Sequence, residues 1–136
     1  MNILIVEDEQ QQRELVKSII EQNTDHQCQL AASAEDAIKK LEQESFDLVL
    51  SDWKLTGADG LYLLEQVKKH YPQISFVLMT AYGSISHAVA SMRSGADDYL
   101  AKPFEKEPLL RTSNCIGSGD AFRVIQAERL RSTMSI

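Results

Sequence analysis

Four short apolar runs in this 136-residue chain each lead into polar residues that could do chemistry. Glu7 and Asp8 follow the first run, Asp52 follows a second, and Thr80 and Lys102 follow two later ones. If these runs are parallel strands of one sheet, all five residues lie at its carboxyl edge, where open α/β sheets bind ligands. The pattern predicts one polar pocket that contains three acids, a hydroxyl and a lysine.

Three carboxylates in one pocket are unfavourable unless a cation neutralises them or a pKa rises. Glu7, Asp8 and Asp52 offer only oxygen ligands, a set that suits Mg²⁺. Asp52 is placed to act as a nucleophile, and carboxylates do form aspartyl phosphates. In such a transfer a divalent cation and Lys102 would neutralise phosphoryl oxygens, and the Thr80 hydroxyl would donate to a third oxygen. Taken singly, Asp8 could equally be a helix N-cap, and Lys102 is more simply a surface lysine near a turn.

The elements that must position these residues alternate between strand and helix patterns, which predicts a parallel, doubly wound α/β sheet. The predicted strands cover residues 3–6, 26–32, 46–50, 74–79 and 98–101. The first helix should use Leu15, Val16, Ile19 and Ile20 as its apolar face. Ser33 is the predicted N-cap of the second helix, Pro72 should end the third, and Gly95 should stop the fourth.

The last stretch of the chain has a different pattern. Polar residues and two closely spaced glycines interrupt the expected fifth helix from about Thr112, and two glycines cost a helix roughly 2 kcal/mol relative to alanine. We therefore expect one domain over residues 1–111, followed by an atypical tail over residues 112–136 that is a broken or replaced fifth helix.

The bulk composition limits the class of protein. Apolar residues make up 43% of the chain and the formal charge is −6, which argues against disorder and against a free-standing nucleic-acid binder. Cys28 and Cys115 lack metal or redox spacing and are interpreted as reduced thiols. His26, His70 and His87 are expected to be surface residues. Since no signal peptide or membrane-length apolar stretch is found, we expect a cytoplasmic protein.

The strand-end residues resemble those of the receiver domain of bacterial two-component response regulators, nearest to the nitrogen-regulatory, sigma-54 activator class. The resemblance covers roughly residues 1–111, and its motifs are ILIVEDE (3–9), DLVLSD (47–52), MTAYGS (79–84) and GADDYLAKPF (95–104). Their joint spacing is highly specific. The resemblance implies a flavodoxin-like (βα)5 fold with strand order 2-1-3-4-5.

The resemblance also implies a role for each matching residue. Asp52 matches the phosphoacceptor. The metal would be held by Asp8 directly, by Glu7 mostly through water, by Asp52, and by the backbone carbonyl of Lys54. Thr80 and Tyr99 match the switch pair and Lys102 the phosphate-binding lysine, while Trp53, Ala81 and Tyr82 are candidate modulators.

A protein of this kind is a phosphorylatable switch rather than an enzyme, although it assists its own phosphorylation and dephosphorylation. The implied partners are a sensor histidine kinase, an output domain or downstream regulator that lies outside this sequence and activates transcription, and a second copy of the chain. Neither a membrane nor direct binding of nucleic acid by this chain is expected.

Two other classes of protein share part of this pattern. A dehalogenase-type phosphatase also uses an aspartyl phosphate, but it needs an Asp-x-Asp pair after its first strand, where this chain has Glu7-Asp8-Glu9. A flavodoxin-like binding protein would place a phosphate loop rich in Ser, Thr and Gly there. Turnover of a small phosphate ester would favour the phosphatase, whereas stoichiometric, slowly lost labelling would favour the receiver.

Overall fold

Five parallel strands form one sheet of order β2-β1-β3-β4-β5 in the computed structural model, which describes residues 1–81 and 85–102. The strands are β1 (Asn2–Val6), β2 (Gln27–Ala31), β3 (Leu48–Asp52), β4 (Ser75–Ala81) and β5 (Asp98–Lys102). The helices are α1 (Gln10–Asn23), α2 (Ala34–Gln43), α3 (Gly60–His70) and α4 (Ile85–Arg93). The predicted fold class and strand order are confirmed. The domain boundary at residue 111 and the tail over residues 112–136 lie outside the described residues and stay predictions.

Both faces of the sheet are covered, which explains the unbroken apolar runs of the central strands. Successive side chains of a strand point to opposite faces. Ile3 and Ile5 of β1 therefore pack in one cluster with Val16 and Ile20 of α1. The alternate β1 residues face a second cluster that contains the buried side chains of α2 and α3. The sheet is thus a layer packed between two cores, and this packing fixes the positions of the residues at its carboxyl edge.

The helix ends follow the predicted capping chemistry in two places. The Ser33 hydroxyl accepts a hydrogen bond from the Asp36 backbone N–H at 3.1 Å, as expected for the N-cap of α2. Gly95 has a φ of 104°, which favours glycine, and it follows the end of α4. The Asp59 side chain caps α3 by accepting from the Tyr62 N–H at 2.8 Å, a cap that the sequence analysis missed.

The apolar face of α1 is narrower than predicted. Val16 and Ile20 are buried, but 51% of Leu15 is exposed.

Glu9 occupies the N-cap position of α1 and makes no side-chain capping hydrogen bond, so the alternative of Asp8 as the helix N-cap is not what the structure shows.

Three strands run further than the apolar pattern predicted. β3 reaches Asp52, β4 reaches Ala81 and β5 reaches Lys102, because ladder hydrogen bonds join backbone groups whatever the side chain. Asp52, for example, pairs in register with Met79. Asp52, Thr80 and Lys102 are therefore strand residues, held more firmly than loop residues would be.

The three histidines all reach the surface, as predicted, but to different extents. His70 is exposed, but His26 and His87 are only partly exposed, and one ring nitrogen of each is buried without a hydrogen-bond partner among the described residues. These rings are shielded by contacts made on folding, which spacing in the sequence does not reveal.

No helix in the described part of the chain is long and apolar enough to span a membrane.

Candidate functional site

The register of the sheet brings the four predicted strand ends together. Val6, the last residue of β1, pairs with Ser51, so Glu7 and Asp8 emerge next to Asp52. Beyond the Asp52 position, Thr80 pairs with Ala101, and Ala81 pairs with Lys102. The backbone of every predicted strand-end residue therefore lies at one edge of the sheet.

Three carboxylates converge at this edge. Glu7, Asp8 and Asp52 each place one oxygen within 4.8 Å of the others. Glu7 is buried, Asp8 is exposed and Asp52 is intermediate, so the cluster opens to solvent on the Asp8 side. An all-oxygen donor set with several carboxylates fits a hard divalent cation, and the open side leaves room for the waters that Mg²⁺ retains. Lys54 is exposed in the loop that follows β3.

Backbone hydrogen bonds fix the segments that carry these acids. The Arg13 guanidinium donates from Nη1 to the Glu7 carbonyl oxygen at 2.8 Å, and the Glu7 N–H donates to the Ala31 carbonyl at 3.1 Å. The Trp53 N–H donates to the Met79 carbonyl at 2.8 Å, directly after Asp52. These bonds hold the backbones of Glu7 and Asp52 in place at the carboxyl edge of the sheet.

Gly60 permits the close approach of α3 to the end of β3. Its N–H donates to the Trp53 carbonyl at 2.8 Å. A Cβ atom at Gly60 would collide with the Asp52 carbonyl oxygen and would lie 2.9 Å from Cδ2 of Leu78. The role of Gly60 was not predicted from the sequence, in which the only signal is a glycine eight residues after a candidate nucleophile.

Trp53 stacks on His87 of α4, which the sequence analysis also missed. The ring centroids are 4.2 Å apart and the planes differ by 8°. This contact connects the residue after Asp52 to the helix that follows β4. Its partners are 34 positions apart, so no local pattern predicts it.

The candidate switch residues are both buried. Thr80 is 1% exposed and Tyr99 is 7% exposed. Tyr99 therefore lies inside the fold, on the strand that pairs with the one carrying Thr80. Lys102 and Ala81 are described as backbone only, and Tyr82 lies outside the described residues.

The fold and the site define a doubly wound α/β protein with a cluster of three acids, which could hold a metal ion, at the carboxyl edge of its sheet. The sequence profile described as "Response regulator receiver domain" matches residues 3–114, and the chain belongs to this family. It is a receiver domain of two-component response regulators, as the resemblance indicated.

Individual relatives agree with this assignment. The chain is 43% identical over 108 residues to the response regulator protein FleR of Pseudomonas aeruginosa, covering 79% of this chain and 23% of FleR. It is 39% identical over 83 residues to the DNA-binding transcriptional regulator NtrC of Proteus hauseri, covering 61% of this chain and 18% of NtrC. The predicted relation to the sigma-54 activator class is confirmed.

The crystal structure of the receiver domain of NtrX from Brucella abortus superposes with a TM-score of 0.82 at 32% identity, covering 87% of this chain and 99% of that domain. The chain spans about a quarter or less of the length of FleR and of NtrC. The DNA binding and transcriptional regulation named for NtrC belong to that longer protein.

Proposed function

We propose that this chain is a phosphoacceptor module in which Asp52 takes a phosphoryl group from a sensor histidine kinase in the presence of Mg²⁺. The observation that carries the proposal is the convergence of Glu7, Asp8 and Asp52 within 4.8 Å at the end of β3, in a receiver-domain fold. The repulsion within this cluster is relieved by a divalent cation, and the same cation makes the site receptive to an anionic phosphoryl group.

In the proposed transfer, an Asp52 carboxylate oxygen attacks the phosphorus and the bond from phosphorus to the donor nitrogen or oxygen breaks. Asp52 is held at the end of a strand, so its carboxylate is oriented before the donor arrives. Asp8 and Asp52 would ligate Mg²⁺, with Glu7 through water and the Lys54 carbonyl as further ligands. When bound, Mg²⁺ supplies charge neutralisation for phosphoryl oxygens. Lys102 and the Thr80 hydroxyl would contact the remaining oxygens.

The test is labelling by acetyl phosphate with MgCl₂, measured by intact mass. We expect the parent chain to gain one phosphoryl group and Asp52→Asn to gain none. Asp25→Asn is the matched control, because Asp25 is an exposed aspartate away from the carboxyl edge of the sheet. Full labelling of Asp52→Asn would refute the assignment, and sustained catalytic turnover of acetyl phosphate would favour the phosphatase instead.

The proposed output surface includes α4 and β5, which flank Thr80. A phosphoryl group at Asp52 that accepts a hydrogen bond from the Thr80 hydroxyl would pull on β4 and change how firmly Tyr99 is packed. Thr80→Ala should therefore still be labelled by acetyl phosphate. In the parent, beryllofluoride should shift the amide NMR signals of residues 85–100, and in Thr80→Ala it should not. Equal shifts in parent and Thr80→Ala would remove Thr80 from the switch.

The partners of this surface are an output domain or downstream regulator and a second copy of the chain. Self-association is proposed for this surface because two-fold dimers, in which the same patch of both copies meets, are the commonest assemblies of soluble proteins. Sedimentation of the chain with and without beryllofluoride tests it. Monomers under both conditions at high protein concentration would refute dimerisation and leave the phosphorylation site unaffected.

A further inference from the structure

The Thr56 hydroxyl, in the loop between β3 and α3, contacts Asp8, the candidate metal ligand in the loop between β1 and α1. Thr56 Oγ1 donates a hydrogen bond to Asp8 Oδ2 at 3.0 Å. The two residues are 48 positions apart, and both side chains belong to exposed residues. An exposed hydroxyl can bond to water instead. The hydrogen bond to Asp8 therefore depends on a loop conformation that keeps Thr56 next to that carboxylate.

The loop holds Thr56 in place from both sides. Leu55, immediately before it, is buried in the core cluster that contains the α2 and α3 side chains. Gly57, immediately after it, has a φ of 85°, a conformation that turns the chain and that other residues rarely adopt. Thr56 therefore lies between a buried residue and a glycine turn, and both restrict the position of its side chain.

A carboxylate that binds a metal is commonly oriented by a second hydrogen bond, and loss of such a partner typically weakens metal binding ten- to a hundredfold. Asp8 has two carboxylate oxygens, and Thr56 donates to only one of them. The other oxygen is left for a cation, and the hydrogen bond restricts rotation of the carboxylate before the cation arrives. Since Thr56 follows Asp52 by four residues, the bond also ties together the two segments that carry the three acids.

We propose that Thr56 is a positioning residue for the metal site, acting through Asp8, so that its hydroxyl increases the affinity for Mg²⁺. The inference rests on the proposed function because it assumes that Asp8 is a ligand. It assigns no contact between Thr56 and the metal.

The test compares the parent with Thr56→Val, which keeps the shape of the side chain but lacks the hydroxyl, and with Thr56→Ser, which keeps the hydroxyl. MgCl₂ is titrated into each full chain, and the dissociation constant is read from the amide NMR shifts of the site residues. We expect Thr56→Val to bind Mg²⁺ about tenfold more weakly and Thr56→Ser to bind like the parent. Thermal melting in EDTA should be unchanged in both variants, because Thr56 is exposed.

A second comparison separates positioning from a general effect on the loop. In an Asp8→Ala background, Thr56→Val should cause no further loss of affinity, since the oxygen that accepts the Thr56 hydrogen bond is gone. Equal or tighter binding by Thr56→Val, weaker binding by Thr56→Ser than by the parent, or an undiminished effect in the Asp8→Ala background would each overturn the proposal. Those results leave the proposed function standing, provided that the parent binds Mg²⁺; a parent that binds none would overturn both.

Discussion

At the residue scale, burial decides the chemistry of a side chain as strongly as its type does. Cys28 is a free thiol that is only 6% exposed, the second residue of β2, in the core cluster that contains the α1 side chains. Burial, and secondarily the negative charge of Glu21, raises the pKa of this thiol to about 12, from an ordinary value of 9.0. The thiolate is the reactive form of cysteine, so Cys28 is expected to be a packing residue and not a redox centre.

We predict that Cys28 resists alkylation in the folded chain. At pH 9.0 about half of an unperturbed thiol is ionised, whereas Cys28 with a pKa of about 12 is almost entirely neutral. Iodoacetamide labelling of the Cys28 peptide, followed by mass spectrometry, should be far slower in the native chain than in urea. Equal rates in the two conditions would contradict this burial.

The same pKa predicts how stability depends on alkaline pH. The folded pKa is raised, so the stabilising effect of the neutral thiol is complete below pH 9.0 and is lost as the pH rises towards 12. Each pH unit in that range should lower the free energy of unfolding of the parent by up to about 1.4 kcal/mol more than it lowers that of Cys28→Ala. Urea unfolding at several pH values measures both slopes, and parallel slopes would remove Cys28 as the cause.

At the scale of the elements, the junction between β3 and α3 is the most constrained part of the site. It carries Asp52 at its start, Thr56 in its middle and Gly60 at its end, and the Gly60 N–H closes it onto the Trp53 carbonyl. The stack of Trp53 on His87 connects the same junction to α4. A change at Asp52 therefore has a short, packed route to the proposed output surface.

Gly60→Ala is predicted to be the most damaging small substitution in this junction. The added methyl group would collide with the Asp52 carbonyl oxygen, a backbone atom that cannot move without displacing the acceptor. We expect a loss of about 1–3 kcal/mol in unfolding free energy and slower labelling by acetyl phosphate.

Gly57→Ala is the comparison for that substitution. A Cβ at Gly57 would make only ordinary contacts with Glu35, and its cost of about 1–2 kcal/mol comes from the positive φ. Urea unfolding and the labelling rate are the measurements. Parent-like labelling by a folded Gly60→Ala chain would show that α3 can withdraw from Asp52.

At the scale of the whole molecule, charge sets the relation between metal binding and stability. The chain carries a formal charge of −6, and three of its acids converge at one edge of the sheet. Without a cation this cluster repels itself, so the folded state bears a cost that a bound divalent ion removes. An ion that binds only the folded state adds its binding free energy to the stability.

We therefore predict opposite effects of Asp8→Asn with and without metal. In EDTA the variant should be more stable than the parent by on the order of 1 kcal/mol, because one of three clustered charges is gone. In saturating MgCl₂ the parent should gain more in melting temperature than the variant, because the variant has lost a ligand. Thermal melting in the two buffers tests this, and an equal gain from MgCl₂ would exclude Asp8 as a ligand.

The sequence by itself determined the class of fold and the candidate site residues. Apolar runs and helix caps such as Ser33 are local features, and they are read from neighbouring residues. The convergence of Glu7, Asp8 and Asp52 could also be predicted, because parallel strands must present their carboxyl ends at one edge whatever their exact register. The motifs that carry the family resemblance are likewise contiguous in the chain.

Only the tertiary structure decided the contacts between residues that are distant in the chain. The Thr56 hydroxyl on Asp8, the Trp53–His87 stack and the close approach of Gly60 to Asp52 depend on packing distances, which no periodicity encodes. The burial of Tyr99 is likewise decided by packing, and the extension of β3 through Asp52 is decided by its pairing with β4. Local chemistry selected the residues of this site, and long-range packing set their geometry.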